Sequence, residues 1–474
     1  MAFQSYHFLI FFICVFFGTH ILAKISHSLK KDFLLLASYY FYSCWDWRFS
    51  GLIFSITVIN YIIGPLIYRA KEKRIKVLWL WLSLAPSLLI LAYFKYTNFF
   101  IGSFIDLLAV FDLQANLHLL NIILPVGISF YTFQSISYTL DIYRGRTTPV
   151  HSFRDFALFV AFFPQLVAGP IVRASHFLPQ LDQEPAQDDN AIESGFALIM
   201  RGFIKKVIIA DVLALHIVDP AFAQPSDYSP IFLLVALYSY SYQVYMDFSG
   251  YTDIARGAAK SLGYELQINF NRPYKSQSIS EFWQRWHISM SSFFRDYLYF
   301  GLGGSKYGNV YVNLVITFVA IGIWHGAGWN FVVYGLCHGG FVGCERWART
   351  RRKRLGLPEK VLSPSRRVLK IFFIFNLVSL TRILFRGGSL SAAVEYLDSI
   401  LSFDRLWIIP LDVIGVTVLI VAIIFHYVPD FWTFRWKDLY LKIPTYVQAP
   451  LIVLVVYLMV AFSSKSAPFI YFQF

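Results

Sequence analysis

The sequence predicts an all-α polytopic membrane protein, a helical bundle that crosses a bilayer many times. Hydrophobic residues fill 57% of the 474 positions and charged residues only 15%, whereas a soluble domain carries about 25% charged residues. Several apolar stretches reach the roughly 17–25 residues needed to cross a bilayer. The net charge of +13 is gathered into short basic loops between those stretches, as in chains oriented by cytoplasmic lysine and arginine.

In chain order, spanning segments are predicted near 6–23, 51–68, 77–95, 119–140, 155–170, 229–248, 309–325, 329–345, 367–385, 407–428 and 447–463. Shorter ones lie near 33–47, 99–112 and 195–218. Eleven or more helices are expected, some of them incomplete crossings, in one integral membrane domain over 1–474. The first reads as a retained helix: no lysine or arginine precedes Leu9 and no small-x-small cleavage site follows. An acidic loop over 180–192 divides the chain loosely into two helical halves without marking a separate domain.

Three basic clusters are expected on the cytoplasmic side. They are Lys24, Lys30 and Lys31; Arg69 to Lys76; and Arg349 to Arg354, followed by Lys360, Arg366, Arg367 and Lys370. Orientation and contact with anionic membrane lipid explain them, and nucleic acid is not expected as a partner. The four cysteines, Cys14, Cys44, Cys337 and Cys344, lie in or beside apolar segments and form no C-x-x-C. Neither a disulfide scaffold nor a thiolate metal site is expected. Gly301, Gly303 and Gly304 lack the Lys-Ser/Thr of a phosphate loop and read as a helix stop.

The stretch 264–300 is too polar to span but dense in aromatic residues. Ser278 and Glu281 fit a capping box that starts a helix. On that helix Trp283, His287, Met290, Phe294 and Leu298 would share one face, with Arg285, Ser289, Ser292, Arg295 and Asp296 largely elsewhere. An amphipathic helix along the cytoplasmic side is expected. On these residues alone, His287 reads as a core histidine with one hydrogen bond.

His325 carries the clearest chemical signal. The nearly unbroken apolar run Leu314–Trp324 ends in Trp324-His325-Gly326-Ala327-Gly328-Trp329-Asn330. A histidine within membrane-length apolar sequence is costly unless it has a partner or lines a wet cavity. Its ordinary pKa of about 6.5 suits it to accept and return a proton, and a positioned general base contributes about 10²–10⁴-fold. Gly326 and Gly328 should end the helix just after it, so the carbonyl end of the helix dipole would favour the imidazolium. Asn330 is a candidate to orient the ring or to donate to an oxyanion. Asp247 and Asp253 flank the end of the segment near 229–248. Asp253 reads as the cap of the next helix, and Asp247 as either a helix-end residue or a partner that orients a histidine. No G-x-S-x-G, H-E-x-x-H, haem-attachment or Rossmann pattern occurs, and neither a metal nor a bound cofactor is expected.

Several ordered motifs resemble the bacterial branch of the membrane-bound O-acyltransferase (MBOAT) superfamily, the branch of alginate-type O-acetylation. They are Pro125 to Gln134, Phe163 to Pro170, Asp247 to Tyr251, Asn271-Arg272-Pro273-Tyr274, Phe282 to Ser289, Arg295 to Tyr299 and Trp324-His325-Gly326-Ala327. The likeness covers roughly residue 30 to the end. It implies a helical bundle around a central funnel or tunnel, with re-entrant and amphipathic helices. It also implies that His325 is the superfamily's essential intramembrane histidine and His287 the second histidine of an Arg-Trp-His motif. Gln284, where an arginine often stands, is a departure.

The activity implied is O-acyl transfer from a cytoplasmic thioester, acetyl-coenzyme A or an acyl carrier protein, to the hydroxyls of an extracellular or periplasmic polysaccharide. A secreted or periplasmic acetyltransferase of the SGNH type is the implied partner and the bacterial inner membrane the implied location. Trp283, Trp286, Trp324 and Trp329 would wall the reacting atoms from water, which would compete as nucleophile. Peptidoglycan O-acetylation and D-alanyl transfer to teichoic acid are related alternatives, and a lipid or protein acceptor keeps the same chemistry. A transporter without chemistry would show paired broken helices in two related halves; no such repeat is visible. A structural scaffold would make both histidines packing residues.

Overall fold

The computed structural model describes residues 3, 5–114, 116–167, 169–183, 189–358, 363–402, 412–428 and isolated positions among 442–469. Every regular element among them is helical. Most of the segment expected near 447–463, the start of the one near 407–428, and Lys360 lie outside the described residues. The chain groups into two compact units, residues 1–200 with 252–267, and residues 201–251 with 268–474.

The first unit contains α1 (Tyr6–Ile25), α2 (His27–Ser43), α3 (Ser50–Arg69), α4 (Lys73–Val110), α5 (Ile128–Tyr143), α6 (Phe153–Ala161), α7 (Phe163–Leu166), α8 (Ala174–Asp182) and most of α9 (Asp189–Phe203). Within it α1 packs on α2, and α3 on both α4 and α5. A polar ladder joins the last three inside apolar surroundings. Ser83 Oγ donates to Asn60 Oδ1 at 2.7 Å and meets Thr139 Oγ1 at 2.8 Å. Such bonds hold helices together where lipid offers no hydrophobic drive.

The structure departs from the expected segments for local reasons. The segments near 77–95 and 99–112 are one 38-residue helix, α4, with Pro86 inside it. The segment near 119–140 is helical only from Ile128. Gly127 sits at φ 74°, and a Cβ there would fall 2.6 Å from the Leu166 carbonyl oxygen. The segment near 155–170 breaks after Ala161, and Pro164 opens the four-residue α7. The side-chain amides of Gln134 and Gln165 both donate to the Phe159 carbonyl. Two of the sequence motifs therefore shape the backbone here.

Lys30 and Lys31 are not loop cations. Both are buried in α2. Lys31 pairs with Asp155 at 3.0 Å and donates to the Leu181 carbonyl, while Lys30 donates to the Leu262 carbonyl and lies over Tyr264. Their apolar stems fit the helix pattern, and buried acceptors meet their ammonium groups.

The second unit contains α10 (Asp211–Leu213), α11 (Asp219–Ala223), most of α12 (Pro230–Ser261), α13 (Ile279–Arg285), α14 (Ile288–Phe293), α15 (Val310–His325), α16 (Trp329–Arg354), α17 (Pro364–Arg386), α18 (Leu390–Leu401) and α19 (Val413–Tyr427). π-Helical turns cover Ile204–Ala210, Ala214–Val218 and Phe294–Tyr299. The helix α12 runs straight through Asp247 and Asp253, so neither is a helix end and Asp253 caps nothing. Glycine allows a close crossing there: a Cβ at Gly250 would stand 2.8 Å from the Gly202 carbonyl oxygen, too near for any other residue.

The hairpin α15–α16 is the tightest contact in the unit. Cβ atoms at Gly322 and Gly335 would fall 2.1 Å from the Phe331 carbonyl oxygen and 2.5 Å from that of Phe318. Gly335 and Gly339 have the small-xxx-small spacing that lets helix backbones touch. Helices α1, α3 with its preceding turn, α4 and α17 are long and apolar enough to cross a membrane, and α15 and α19 are shorter apolar helices. The protein is integral to the membrane.

Candidate active site

His325 is the last residue of α15 and is buried. Gly326 is extended at φ −160°, and a Cβ on it would lie 2.0 Å from the Phe331 ring. Glycine is needed for clearance at this hinge, not for left-handed backbone. The chain re-enters a helix at Trp329, so the imidazole stands between a helix C-terminus and the start of the next helix. Aromatic rings pack around it, with centroids at 4.9 Å for Trp324, 5.1 Å for Phe385 and 6.3 Å for Tyr334.

His287 does not lie on a continuous amphipathic helix. Helix α13 ends at Arg285, and His287 takes a left-handed backbone with φ 45° before α14 begins. Half of the expected capping box is present: Glu281 N donates to Ser278 Oγ at 3.1 Å, while the Glu281 carboxylate accepts from Gln277 N at 2.8 Å in place of Ser278 N. The break has a cause. Residues 269–271 run alongside, and Asn271 N donates to the Arg285 carbonyl while Ile288 N donates to that of Asn269, both at 2.9 Å. These bonds compete with the helical ladder. Arg272 is also left-handed at φ 45°, and such non-glycine positions cost about 1–3 kcal/mol each and persist only where their surroundings hold them.

The His287 ring is wholly buried, so it is not on a solvated cytoplasmic face. Asn269 Oδ1 accepts from the Ser289 amide at 3.0 Å, from its hydroxyl at 2.9 Å and from His287 Nδ1 at 3.2 Å. An oxygen that takes a backbone N–H must be the carbonyl, so Nδ1 carries the hydrogen and Nε2 the lone pair. Burial lowers the affinity of this imidazole for a second proton. Its ring packs edge-on to Phe248 at 4.7 Å and to Trp324 at 5.5 Å. Trp324 therefore touches both imidazoles.

The other predicted residues separate. Trp283 is buried and its Nε1 donates to His338 Nδ1 at 3.2 Å. Trp286 is buried with the Arg382 guanidinium 4.3 Å above its ring. Trp329 is 56% exposed and so forms no enclosed wall; it is the first residue of α16 and turns outward. Asn330 is buried, but its amide is engaged, Nδ2 donating to the Leu384 carbonyl at 2.9 Å. Asp247 Oδ1 lies 2.7 Å from Lys206 Nζ, which also meets Asp211 at 2.8 Å. It sits on α12 and joins a buried ion cluster with Lys206 and Asp211.

Some neighbours were not anticipated. His338 accepts from Trp283 at Nδ1, so its hydrogen lies on Nε2, 3.0 Å from Thr381 Oγ1. The Thr381 hydroxyl then donates to the Val378 carbonyl. This closed chain ties α13, α16 and α17 beneath Tyr334, whose ring is 4.4 Å from His338. Its signal in the sequence is a third histidine inside an apolar segment. His426 is likewise buried, among Tyr242, Tyr245 and Tyr274.

The arrangement offers two buried imidazoles against one indole, with the lone pair of one aimed by an asparagine and the other set at a helix end. Comparison with known proteins supplies the chemical context. The model of the membrane-bound O-acyltransferase (MBOAT) family matches residues 148–385. The chain is 41% identical over 408 residues to the probable alginate O-acetylase AlgI of Pseudomonas aeruginosa, covering 85% of this chain and 75% of that protein. It is 36% identical to the peptidoglycan O-acetyltransferase of Helicobacter pylori, over 79% and 74% of the two chains. With the teichoic acid D-alanyltransferase of Streptococcus thermophilus the identity is 31%, over 55% and 68%. The family match spans both histidines and every motif from Phe163 onward, and on that ground the chain belongs to the membrane-bound O-acyltransferase family and is an O-acyltransferase.

Proposed function

We propose that the protein passes an acetyl group from a cytoplasmic thioester, acetyl-coenzyme A or an acyl carrier protein, to hydroxyls of a periplasmic or extracellular polysaccharide of the alginate kind. It would do so as a multi-pass protein of the bacterial inner membrane. The observation that carries this reading is the 41% identity to an alginate O-acetylase over 85% of the chain. The 36% identity to a peptidoglycan O-acetyltransferase keeps peptidoglycan as the second acceptor.

In this reading the acceptor hydroxyl attacks the thioester carbonyl while His325 takes its proton. The C–O bond forms, the C–S bond breaks, and the thiolate leaves with the proton returned by the imidazole. The helix end at His325 favours the transient imidazolium. His287, with its Nε2 lone pair fixed by Asn269, holds a substrate hydrogen or relays the proton. Trp283, Trp286 and Trp324 keep water from competing. A periplasmic SGNH-type acetyltransferase is the partner proposed to act beside it on the same polymer.

The test uses purified full-length protein in vesicles, labelled acetyl-coenzyme A and alginate oligosaccharides. Replacement His325→Ala is expected to lower transfer by about 10²–10⁴-fold. A folded His325→Ala protein that acetylates at the unaltered rate defeats the reading. If His287→Ala lowers only the amount of protein, that residue is structural.

A further inference from the structure

The spanning helix α17 carries a polar stripe. Asn376, Ser379 and Arg382 recur at three-residue spacing and so lie close to one face. The first two are matched from α12. Tyr238 Oη donates to Asn376 Oδ1 at 2.5 Å, and Ser241 Oγ is hydrogen-bonded to Ser379 Oγ at 2.9 Å. Arg382 differs. It is only 4% exposed, and among the described residues its Nε has no acceptor and no carboxylate pairs with its guanidinium. One turn on, Arg386 does have a counter-ion, Asp219 at 2.8 Å.

What surrounds Arg382 is aromatic. Its guanidinium carbon lies 4.3 Å over Trp286 and 5.9 Å from the Tyr274 centroid. Its charge also acts on Tyr240, Tyr334 and His338. A guanidinium cannot shed its proton to escape burial, and a cation within a membrane segment is kept for a purpose. Its place is telling. Trp286 directly precedes His287, and Phe385, on the next turn from Arg382, has its ring 5.1 Å from His325.

We infer that Arg382 stabilises the negative oxygen that forms at the thioester carbonyl, a role that rests on the acyl-transfer reading above. When the acceptor oxygen bonds to the carbonyl carbon, the π pair moves onto the carbonyl oxygen and the hydroxyl proton passes to imidazole. Expulsion of the thiolate restores the carbonyl, and the thiolate recovers the proton. The oxyanion exists only between these events. A cation with no carboxylate partner among the described residues gains a negative partner at that moment, so its interaction is stronger in the transition state than in the ground state. A carboxylate partner would cancel the effect. Fixed positive charge in a dry site is the usual source of such stabilisation.

The experiment compares wild type with Arg382→Met and Arg382→Lys in vesicles, using acetyl-coenzyme A and a neutral S-acetyl-pantetheine, each with alginate oligosaccharides. For Arg382→Met, kcat is expected to fall about 10²–10³-fold with both donors, while KM changes by no more than about twofold. The Lys variant should recover part of kcat. Should Arg382→Met not fold, Arg382→Ala assayed with added guanidinium ion replaces it, and partial recovery is expected. An unchanged kcat overturns the inference. So does a loss confined to KM for acetyl-coenzyme A and absent with the neutral donor, which would make Arg382 a reader of donor phosphate. Failure of rescue in a folded Arg382→Ala protein also overturns it. Failure of the acyl-transfer reading itself is distinct, because there wild type transfers no acetyl group or His325→Ala transfers it normally.

Discussion

Asn269 shows how a single amide can set a histidine. Its oxygen takes two hydrogens from Ser289 and one from His287, so removing it strands several buried donors at once. Asn269→Ala is expected to destabilise by about 1–3 kcal/mol and to lower acyl transfer, with Asn269→Asp, which keeps the acceptor, closer to wild type. Thermal melts in detergent and the transfer assay read the two effects. Lys206 is more demanding, since its ammonium bridges Asp211 and Asp247 in a dry setting. Lys206→Met is expected to cost roughly 3–5 kcal/mol, and the double change with Asp247→Asn less than that. If the double variant melts no higher than the single one, the bridge is not what holds this region. His325 was legible in the sequence because it ends an apolar run, and His287 because a motif surrounds it. His338 stands in the apolar first half of α16 with no matched motif around it, and only the contacts of Trp283 and Thr381 reveal it. Arg382 was invisible for a related reason: sequence shows a charge but not whether a carboxylate lies against it.

Among the elements, the hairpin α15–α16 carries His325 at its turn, and its geometry depends on backbone contact at Gly322 and Gly335. A methyl group at Gly322 would meet a backbone oxygen that cannot move without shifting the hinge. Gly322→Ala is expected to cost about 1–3 kcal/mol and to reduce transfer beyond its effect on folding. Normal kcat in the folded variant would show that the hinge tolerates movement. Substituting Ser278 by Ala should cost about 1 kcal/mol through loss of the α13 cap, measurable as a lower melting midpoint. The limits of α15, expected near 309–325 and found at Val310–His325, were legible because Asn309 caps one end and Gly326 follows the other. The helix expected through 278–298 failed because the competing partner, residues 269–271, lies well back in the chain. Side-chain periodicity cannot register a ladder broken from outside. Asp253 read as a cap because it follows the end of an apolar run, although α12 passes through it.

For the whole molecule, composition alone fixed the class, since so apolar a chain has no soluble solution. Ordered motifs then indicated the family that the comparisons establish. The spanning segments were legible as apolar runs, but not which were continuous, because Pro125, Gly127 and Pro164 act through backbone geometry. Pro86, by contrast, sits inside an unbroken α4. At a rise of 1.5 Å per residue, the 38 residues of α4 extend about 57 Å, against a hydrocarbon slab of about 30 Å. Such a rod must lean steeply, stand proud of one leaflet, or draw thicker lipid around itself, each at a modest cost per ångström of mismatch. Bilayer thickness thus becomes a variable of the protein's stability. Vesicles of graded acyl-chain length should give graded melting midpoints, and a flat series would mean that α4 is indifferent to the depth of its surroundings.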